Sequence, residues 1–283
     1  TAVGALALDA NTTASYNTAM GYYALSSETL GARNVAIGHE TLASQNFTSA
    51  TDSYNTAVGM AAGRLVTTGV NNTFIGGNAG TANTTGSNNT AVGKDAGAAL
   101  TTATYSTFIG SFAGDSTTTG TYNTVVGAAA FADNTTGANN TVLGTSALAD
   151  NTTASNNTAI GFEALRLNTT GTQNTAVGKD ALKSQTTGGY NTAVGFGAMD
   201  AQTTAEYSVA FGRNALTSAT TGGANTAVGD TALGANTTGT NNVAVGYAAL
   251  EANTTAANNT AVGREAGKSI TTSADNVYIG KGA

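Results

Sequence analysis

The stretch that decides the fold is residues 157–178, NTAIGFEALRLNTTGTQNTAVG, in which the string Asn-Thr-Ala-apolar-Gly returns after 17 residues. A glycine preceded by an apolar residue recurs from Gly4 to Gly280, 17 times in all. Fifteen of the sixteen intervals are 17 residues long, and one, from Gly38 to Gly59, is 21. We number the consensus N-T-A-V-G-x-x-A-L-x-x-N-T-T-G-x-x from position 1 to position 17, so the invariant glycine stands at position 5.

This period predicts a parallel β-solenoid. It is shorter than the roughly 33 residues that a two-helix repeat needs, and positions 2 to 4 carry the β-branched residues typical of a strand. One repeat cannot bury a face alone, so neighbouring repeats must stack. We therefore expect an all-β parallel β-solenoid (β-roll) of 17-residue coils, a single array over residues 1–283 with a four-residue insertion within residues 39–58. Stacked strands about 4.8 Å apart would make a rod about 75–80 Å long.

Three columns of equivalent residues are expected to hold the coils together. Position 4 is apolar in all 17 repeats, which predicts a core column that includes Val58, Ile75, Val92, Ile109, Val126, Leu143, Ile160 and Val177. Position 5 must exclude a side chain, because φ is positive or another backbone approaches closely; its turn glycines include Gly59, Gly76, Gly93 and Gly110. Position 1 is Asn in 14 of 16 occurrences, which predicts a stacked amide ladder that includes Asn72, Asn89, Asn123, Asn140 and Asn157.

Positions 9 and 3 of successive coils covary in size. Leu or Met at position 9 is followed eleven residues later by Ala, as in Leu148 and Ala159, whereas every aromatic residue at position 3 follows a glycine, as Phe108 follows Gly97. We interpret this as a shared volume and predict that the two positions pack together, within a chain or across a subunit interface. Two pairs depart from the rule: Gly80/Ala91 is underfilled and Phe131/Val142 is overfilled.

Composition excludes several classes of function. The chain has no Cys, one His (His39) and a net charge of −6, so thiolate and multi-histidine sites are absent and a phosphate-binding surface is disfavoured. No apolar run reaches the roughly 18 residues of a membrane helix. We expect no enzymatic activity, no cofactor, no metal, no nucleic-acid partner and no membrane insertion.

The strings N-V-A-I-G at Asn34–Gly38 and N-V-A-V-G at Asn242–Gly246 resemble the S-V-A-I-G repeat of YadA-like head domains in trimeric autotransporter adhesins. The longer N-T-A-V-G-x-x-A-L-x-x-N-T-T-G pattern is similar to tail-fibre-domain repeat shafts of bacterial and phage proteins. This resemblance covers the whole chain. It implies a parallel β-roll with three chains side by side, located extracellularly, on the cell surface or on a virion.

The residues themselves also favour self-association. One apolar column with alanine columns at positions 3 and 8 is a thin core, so we expect three chains to share the surface formed by positions 3, 8 and 9. The repeats at either end have no polar cap, which predicts a segment of a longer fibre or end-to-end assembly. The expected partner is therefore a further copy of the chain.

Three functions are compatible with such an array. The first is a structural fibre shaft or adhesin head segment that spaces or displays a binding tip. The alternative is binding of surface glycans or a host receptor along the shaft, with these position-6 aromatic residues as candidate contacts: Tyr22, Phe162, Phe196 and Tyr247. The third is ice binding through the threonine columns at positions 13 and 14. We place the insertion around residues 45–52 and interpret it as a tolerated surface loop, although loops also carry grafted function.

Overall fold

The computed structural model describes residues 1–283 and is an all-β, parallel β-solenoid of about sixteen turns with no helix. The chain therefore contains no helix that could cross a membrane. It comprises two compact units, residues 1–140 and residues 141–283. Each unit is a stack of coils in which a strand of two or three residues is followed by turns.

The first unit contains ten strands: β1 (Ala2–Val3), β2 (Thr18–Met20), β3 (Gly31–Ala32), β4 (Val35–Ile37), β5 (Thr51–Asp52), β6 (Thr56–Val58), β7 (Thr73–Ile75), β8 (Thr90–Val92), β9 (Thr107–Ile109) and β10 (Thr124–Val126). Eight of them pair in parallel, coil after coil, in the order β1-β2-β4-β6-β7-β8-β9-β10. The remaining strands, β3 and β5, pair with each other in a separate two-stranded sheet.

The second unit contains nine strands: β11 (Thr141–Leu143), β12 (Thr158–Ile160), β13 (Thr175–Val177), β14 (Thr192–Val194), β15 (Val209–Phe211), β16 (Thr226–Val228), β17 (Val243–Val245), β18 (Thr260–Val262) and β19 (Val277–Ile279). Each pairs in parallel with the next, and equivalent repeat positions face each other throughout. The register therefore equals the sequence period.

Backbone hydrogen bonds between coils hold this register. The Thr73 N–H donates to the carbonyl of Asn89 in the following coil, and the Gly93 N–H donates to the carbonyl of Ile75 in the preceding one, both at 2.8 Å. Gly93 has a φ of +135°, and a Cβ placed on it would lie 2.5 Å from the carbonyl oxygen of Gly110. Position 5 is thus glycine for both predicted reasons, a left-handed φ and the close approach of the next coil.

The core lies on the other face of the strand from the one predicted. Side chains at positions 3, 8 and 9 are buried, for example Ala159, Ala164 and Leu165, none of which is accessible to solvent. Adjacent strand residues point to opposite faces, so position 4 points outward. The predicted core column stacks in register but is not the core: Ile75, Ile109 and Leu143 are 39–48% exposed, and the others are only partly buried, namely Val58, Val92, Val126, Ile160 and Val177.

The covarying positions 9 and 3 pack against each other inside the coils. A Cβ on Gly97 would lie 3.3 Å from the ring of Phe108, and one on Gly63 would lie 2.8 Å from the ring of Phe74. The ring of Phe74 also fills the space beside Gly80 of its own coil, which explains why the Gly80/Ala91 pair is not empty.

The predicted interface between chains is wrong for the same reason. Positions 3, 8 and 9 are already buried within the described units of a single chain. A surface shared between copies must therefore use outward-facing positions.

Candidate binding surfaces

The outward face of the sheet carries a continuous apolar row. In each unit position 4 supplies one aliphatic or aromatic side chain per coil, in direct parallel register, such as Val92 opposite Ile109 and Val194 opposite Phe211. We call these residues the position-4 row: Val3, Met20, Ile37, Val58, Ile75, Val92, Ile109 and Val126 in the first unit, and Leu143, Ile160, Val177, Val194, Phe211, Val228, Val245, Val262 and Ile279 in the second. Exposed apolar surface that is continuous over many residues marks interaction sites in soluble proteins.

The four candidate glycan contacts at position 6 are exposed but are not brought together. Tyr22, Phe162, Phe196 and Tyr247 are each 47–50% exposed. The Lys179 ammonium lies 5.8 Å from the Phe162 ring centre and 5.5 Å from that of Phe196.

The two tyrosines of this set also have partners in their own coils or the next. Arg264 lies over the Tyr247 ring at 5.7 Å, and Tyr22 stacks on His39 at 5.4 Å. A hydrogen bond with Tyr23 raises the pKa of Tyr22. One face of each position-6 ring is therefore occupied within the chain.

Charged side chains at repeat positions 7 and 10 form ion pairs with each other. Lys183 Nζ lies 2.6 Å from Glu163 Oε2 and 3.5 Å from Asp180 Oδ1, while Arg166 bonds the other Glu163 oxygen at 3.2 Å. The hydrogen bond to Glu163 is the main reason why the pKa of Lys183 is raised. Such mixed-sign surface pairs each contribute little to stability, and the charges they neutralise leave no strongly charged patch here.

The position-1 asparagines form a ladder. Most of its hydrogen bonds join an asparagine side chain to a backbone group and not to another side-chain amide. The Asn72 Oδ1 accepts the Asn89 N–H of the next coil at 3.0 Å, and the Asn72 Nδ2 donates to the Gly86 carbonyl at 2.9 Å. The Nδ2 atoms of Asn89, Asn123 and Asn157 donate in the same way to the carbonyls of Ala103, Gly137 and Gly171. Asn140 adds an amide-to-amide bond to Asn123 at 3.2 Å. These buried amides have a structural role.

The two threonines at positions 13 and 14 have different roles: the first bonds to the next coil and the second faces solvent. The position-13 hydroxyl donates to the position-13 carbonyl of the next coil, as from Thr84 to Thr101 at 3.1 Å and from Thr169 to Thr186 at 3.1 Å. The position-14 side chain, such as Thr85 or Thr170, is exposed. Only one threonine of each pair is thus part of the solvent-facing surface.

A tyrosine column at position 17 was missed by the sequence reasoning. Its members are 51–77% exposed and have left-handed φ values: Tyr16, Tyr54, Tyr105, Tyr122, Tyr190 and Tyr207. Tyr105 stacks on Tyr122 at 5.4 Å and Tyr190 stacks on Tyr207 at 5.1 Å between ring centres. The signal was available, since these tyrosines fall at one repeat position.

The extra residues of the long interval enter at two points of one turn. Asn46 still bonds to Thr29 of the preceding coil at the regular separation of 17, but Thr51 pairs with Gly31 at a separation of 20. Asn55 then bonds to Asn34 at a separation of 21. Three residues are therefore inserted before β5 and one after it.

A buried carboxylate anchors this turn. Glu28 is inaccessible to solvent, and its oxygens accept hydrogen bonds from the backbone N–H groups of Leu30, Gly31 and Phe47 and from the Gln45 side chain. Four donors compensate the desolvation of this charge. The network makes the inserted segment an ordered part of the coil.

A groove of about 400 Å³ opens between the insertion and the first two coils. It is lined by Thr13, Ala14, Ser15, Tyr16, Leu30, Ala32, Ala50, Thr51 and Asp52. At its edge Arg33 Nε bonds Asp52 Oδ1 at 3.0 Å, and the Arg33 guanidinium lies 4.8 Å from the Tyr16 ring centre and 5.7 Å from that of Tyr54.

No group of three or more His, Cys, Asp or Glu side chains is placed to hold a metal ion. The described surfaces are thus an apolar row, separated aromatic rings and one groove. No protein-family model matches the chain, and no curated protein is significantly similar to it.

Proposed function

We propose that this chain is a segment of a structural fibre, a shaft or adhesin head segment that associates side by side with copies of itself as a homotrimer. The position-4 row is the observation that carries the proposal. An extracellular, cell-surface or virion location belongs to the same proposal and follows from the resemblance of N-V-A-I-G and N-V-A-V-G to YadA-like repeats.

The energetics of the row support association along a length rather than at a point. Burying the exposed part of one Val or Ile side chain contributes roughly 0.5–1 kcal/mol, which is far less than the roughly 4–15 kcal/mol lost when two molecules associate. Eight consecutive coils in the first unit and nine in the second present such a side chain. Only a contact that runs along many coils would therefore be stable.

The period supports parallel alignment of the copies. All copies have the same rise per coil, so a match between two position-4 side chains in one coil is repeated in the next. A slip by one coil keeps most of the contact, and a cyclic trimer has its three copies parallel, so three position-4 rows can meet along one axis.

Sedimentation equilibrium of matched variants tests the proposal. The double variant Ile75→Lys/Ile109→Lys places two charges on the row, and Thr85→Lys/Thr119→Lys places the same charges at exposed position 14 of the same two coils. The wild type and the threonine variant are expected to be trimeric, and the isoleucine variant monomeric but folded by circular dichroism. A monomeric wild type at about 100 μM, or a trimeric isoleucine variant, would overturn the proposal.

A second candidate function is glycan or receptor binding along the shaft. The exposure of Tyr22, Phe162, Phe196 and Tyr247 favours it, since stacking needs an accessible ring. Substitution of all four by alanine would abolish adhesion to a glycan array if this candidate is correct and would leave the oligomeric state unchanged. The fibre hypothesis predicts the reverse ranking, in which the position-4 variants have the larger effect.

A further inference from the structure

The groove beside the insertion combines several departures from the repeat in one place. Position 14 is Leu30 where fourteen other coils have threonine, and position 12 is Glu28 where most coils have an amide. Here too are the only extra residues in the array, and Tyr16 and Tyr54 enclose Arg33. The departures coincide around one cavity.

The groove is built by fixed elements. Its far wall, β5, is held by parallel pairing with β3, and the segment leading to β5 is held by the bond from the Phe47 N–H to Glu28. The Ser53 hydroxyl then bonds Asn34 Oδ1 at 2.9 Å and returns the chain to the regular ladder. The shape of the groove is therefore preorganised, which reduces the entropic cost of binding.

Backbone preference does not explain the tyrosines at its edge. Position 17 has a left-handed φ, +63° at Tyr16 and +49° at Tyr54, and asparagine adopts that region more readily than a bulky residue does. Other coils do carry Asn there, as at Asn71 and Asn139. Burial does not explain Tyr16 either, because it is 77% exposed. Among the tyrosines at position 17, Tyr16 is the one that both lines this groove and has the Arg33 guanidinium against its ring.

The chemistry of the lining indicates a neutral ligand with both apolar and hydroxyl faces. Ala14, Leu30, Ala32 and Ala50 form apolar surface, and Thr13, Ser15 and Thr51 supply hydroxyl groups. Asp52 is neutralised by Arg33, so no unpaired charge selects an ion. Volume and lining fit a small-molecule site, whose polar groups orient a ligand on an apolar base.

We propose that this groove binds a neutral β-linked pyranose disaccharide, whose axial C–H face lies on Tyr16 and whose equatorial hydroxyls bond Asp52 and the threonine and serine hydroxyls. Equatorial hydroxyls leave the faces of such a ring apolar, which suits an aromatic surface. The site uses none of the position-4 row and is independent of self-association.

Saturation-transfer NMR with cellobiose and N,N′-diacetylchitobiose tests the site. At least one of the two sugars is expected to bind with a dissociation constant of about 1 mM, with the strongest transfer to the axial ring protons. Tyr16→Ala should weaken binding about tenfold or more, and Tyr16→Phe should retain it. Ala50→Arg should block the groove without altering the ring.

Tyr122→Ala is the matched control, because Tyr122 has the same repeat position and is also exposed, but it stacks on Tyr105 and does not line this groove. Its affinity should equal that of the wild type, and all variants should keep the wild-type sedimentation profile and circular dichroism. The absence of saturable transfer from both sugars overturns the proposal. So does an equal loss from Tyr122→Ala, or unchanged binding by both Tyr16→Ala and Ala50→Arg.

Discussion

The regular turn at Gly239 and the turn that holds the insertion use their side chains in opposite ways, the first as hydrogen-bond donors and the second as an acceptor. In a regular turn the Gly239 carbonyl accepts hydrogen bonds from the amides of Asn225 and Asn236 at 2.8 and 3.1 Å. In the irregular turn Glu28 accepts from backbone N–H groups and from Gln45. Side-chain donors serve a carbonyl in the first case, and a side-chain acceptor serves N–H groups in the second.

This reversal shows how an exact repeat can accommodate extra residues. An amide that bonds one carbonyl at position 15 holds a turn of one length, whereas a carboxylate with several acceptor sites can collect N–H groups from residues far apart in sequence. Leu30 and Phe47, both bonded to Glu28, lie in successive coils. The Glu28 carboxylate lies in the coil before the insertion. It therefore holds the inserted segment without depending on the length of the turn in which that segment lies.

The largest expected loss of stability comes from substituting a position-5 glycine. It tests whether the sheet is built in the same way in a regular coil and in the coil of the insertion. Gly93→Ala, in a regular coil, and Gly38→Ala, in the coil of the insertion, would each place a Cβ 2.5 Å from the carbonyl oxygen of the next coil's glycine, at a φ near +135°. We expect each to lower the free energy of unfolding by at least about 4 kcal/mol, measured by urea denaturation. Gly77→Ala meets no atom within 4 Å and is the control. Unequal losses would show that the irregularity extends into the sheet.

The next largest loss of stability comes from substitutions in the core. The coil of the insertion and the regular coil after it fill that core with different pairs of side chains. In the coil of the insertion Leu42 is followed by Ala57, whereas in the next coil Gly63 is followed by Phe74, and all four are buried. Phe74→Ala should cost about 3 kcal/mol through the cavity it leaves. Gly63→Leu alone should also destabilise, because its Cβ would lie 2.8 Å from the ring.

The double variant Gly63→Leu/Phe74→Ala should recover part of both losses, since it recreates the Leu-and-Ala pairing of the neighbouring coil. Thermal unfolding of the four members of this double-mutant cycle measures the coupling. Strict additivity would contradict the shared volume.

Exchanging a carboxylate and an amide between the two turns tests whether each turn requires its own kind of hydrogen-bonding side chain. Glu28→Gln turns one acceptor into a donor that faces other donors, and Asn236→Asp turns a donor into an acceptor that faces the Gly239 carbonyl. Both sites are inaccessible to solvent, so each change should cost about 2 kcal/mol. Hydrogen exchange at Gly31 and Phe47 should accelerate only in Glu28→Gln. Asn11→Asp, at an exposed member of the same position, should change stability little, and a large loss there would count against the explanation.

The smallest effect concerns a carboxylate that lacks the donors of Glu28. One oxygen of Asp115 has no hydrogen-bond partner, and burial raises the pKa of Asp115 more than its backbone hydrogen bonds lower it, with Asp133 and Asp95 adding to the rise. A raised pKa in the folded state means that deprotonation costs folding free energy at neutral pH. Because Asp115 is partly exposed and solvent screens its charge, Asp115→Asn should stabilise the protein at pH 7 by no more than about 0.5 kcal/mol.

The gain should disappear below the ordinary Asp pKa of about 3.9, where the carboxyl is protonated in both states. Urea denaturation of both proteins at pH 7 and pH 3 measures it. A gain that is constant with pH would contradict an electrostatic cause.

The candidate sites were predictable only in part. The exposed rings at position 6 could be located because their repeat position is visible in the sequence, but their contacts with Lys179 and Arg264 depend on coil stacking. The groove could not be predicted, because its walls come from residues 13–16, 30–32 and 50–52. Nothing local in those segments shows that they meet.

The sequence by itself determined the parallel stacking, the register and the glycine column, because these follow from a period that nearly every repeat obeys. The sequence also indicated that positions 9 and 3 pack together, because a large residue such as Leu148 is followed by a small one such as Ala159. Tertiary structure alone decided which strand face is inside. Position 4 is the more hydrophobic, yet the large residue at position 9 leaves room only for the mostly small residue at position 3, so Val and Ile point outward. Hydrophobicity favours burial, but the volume available inside a coil determines which side chain is buried.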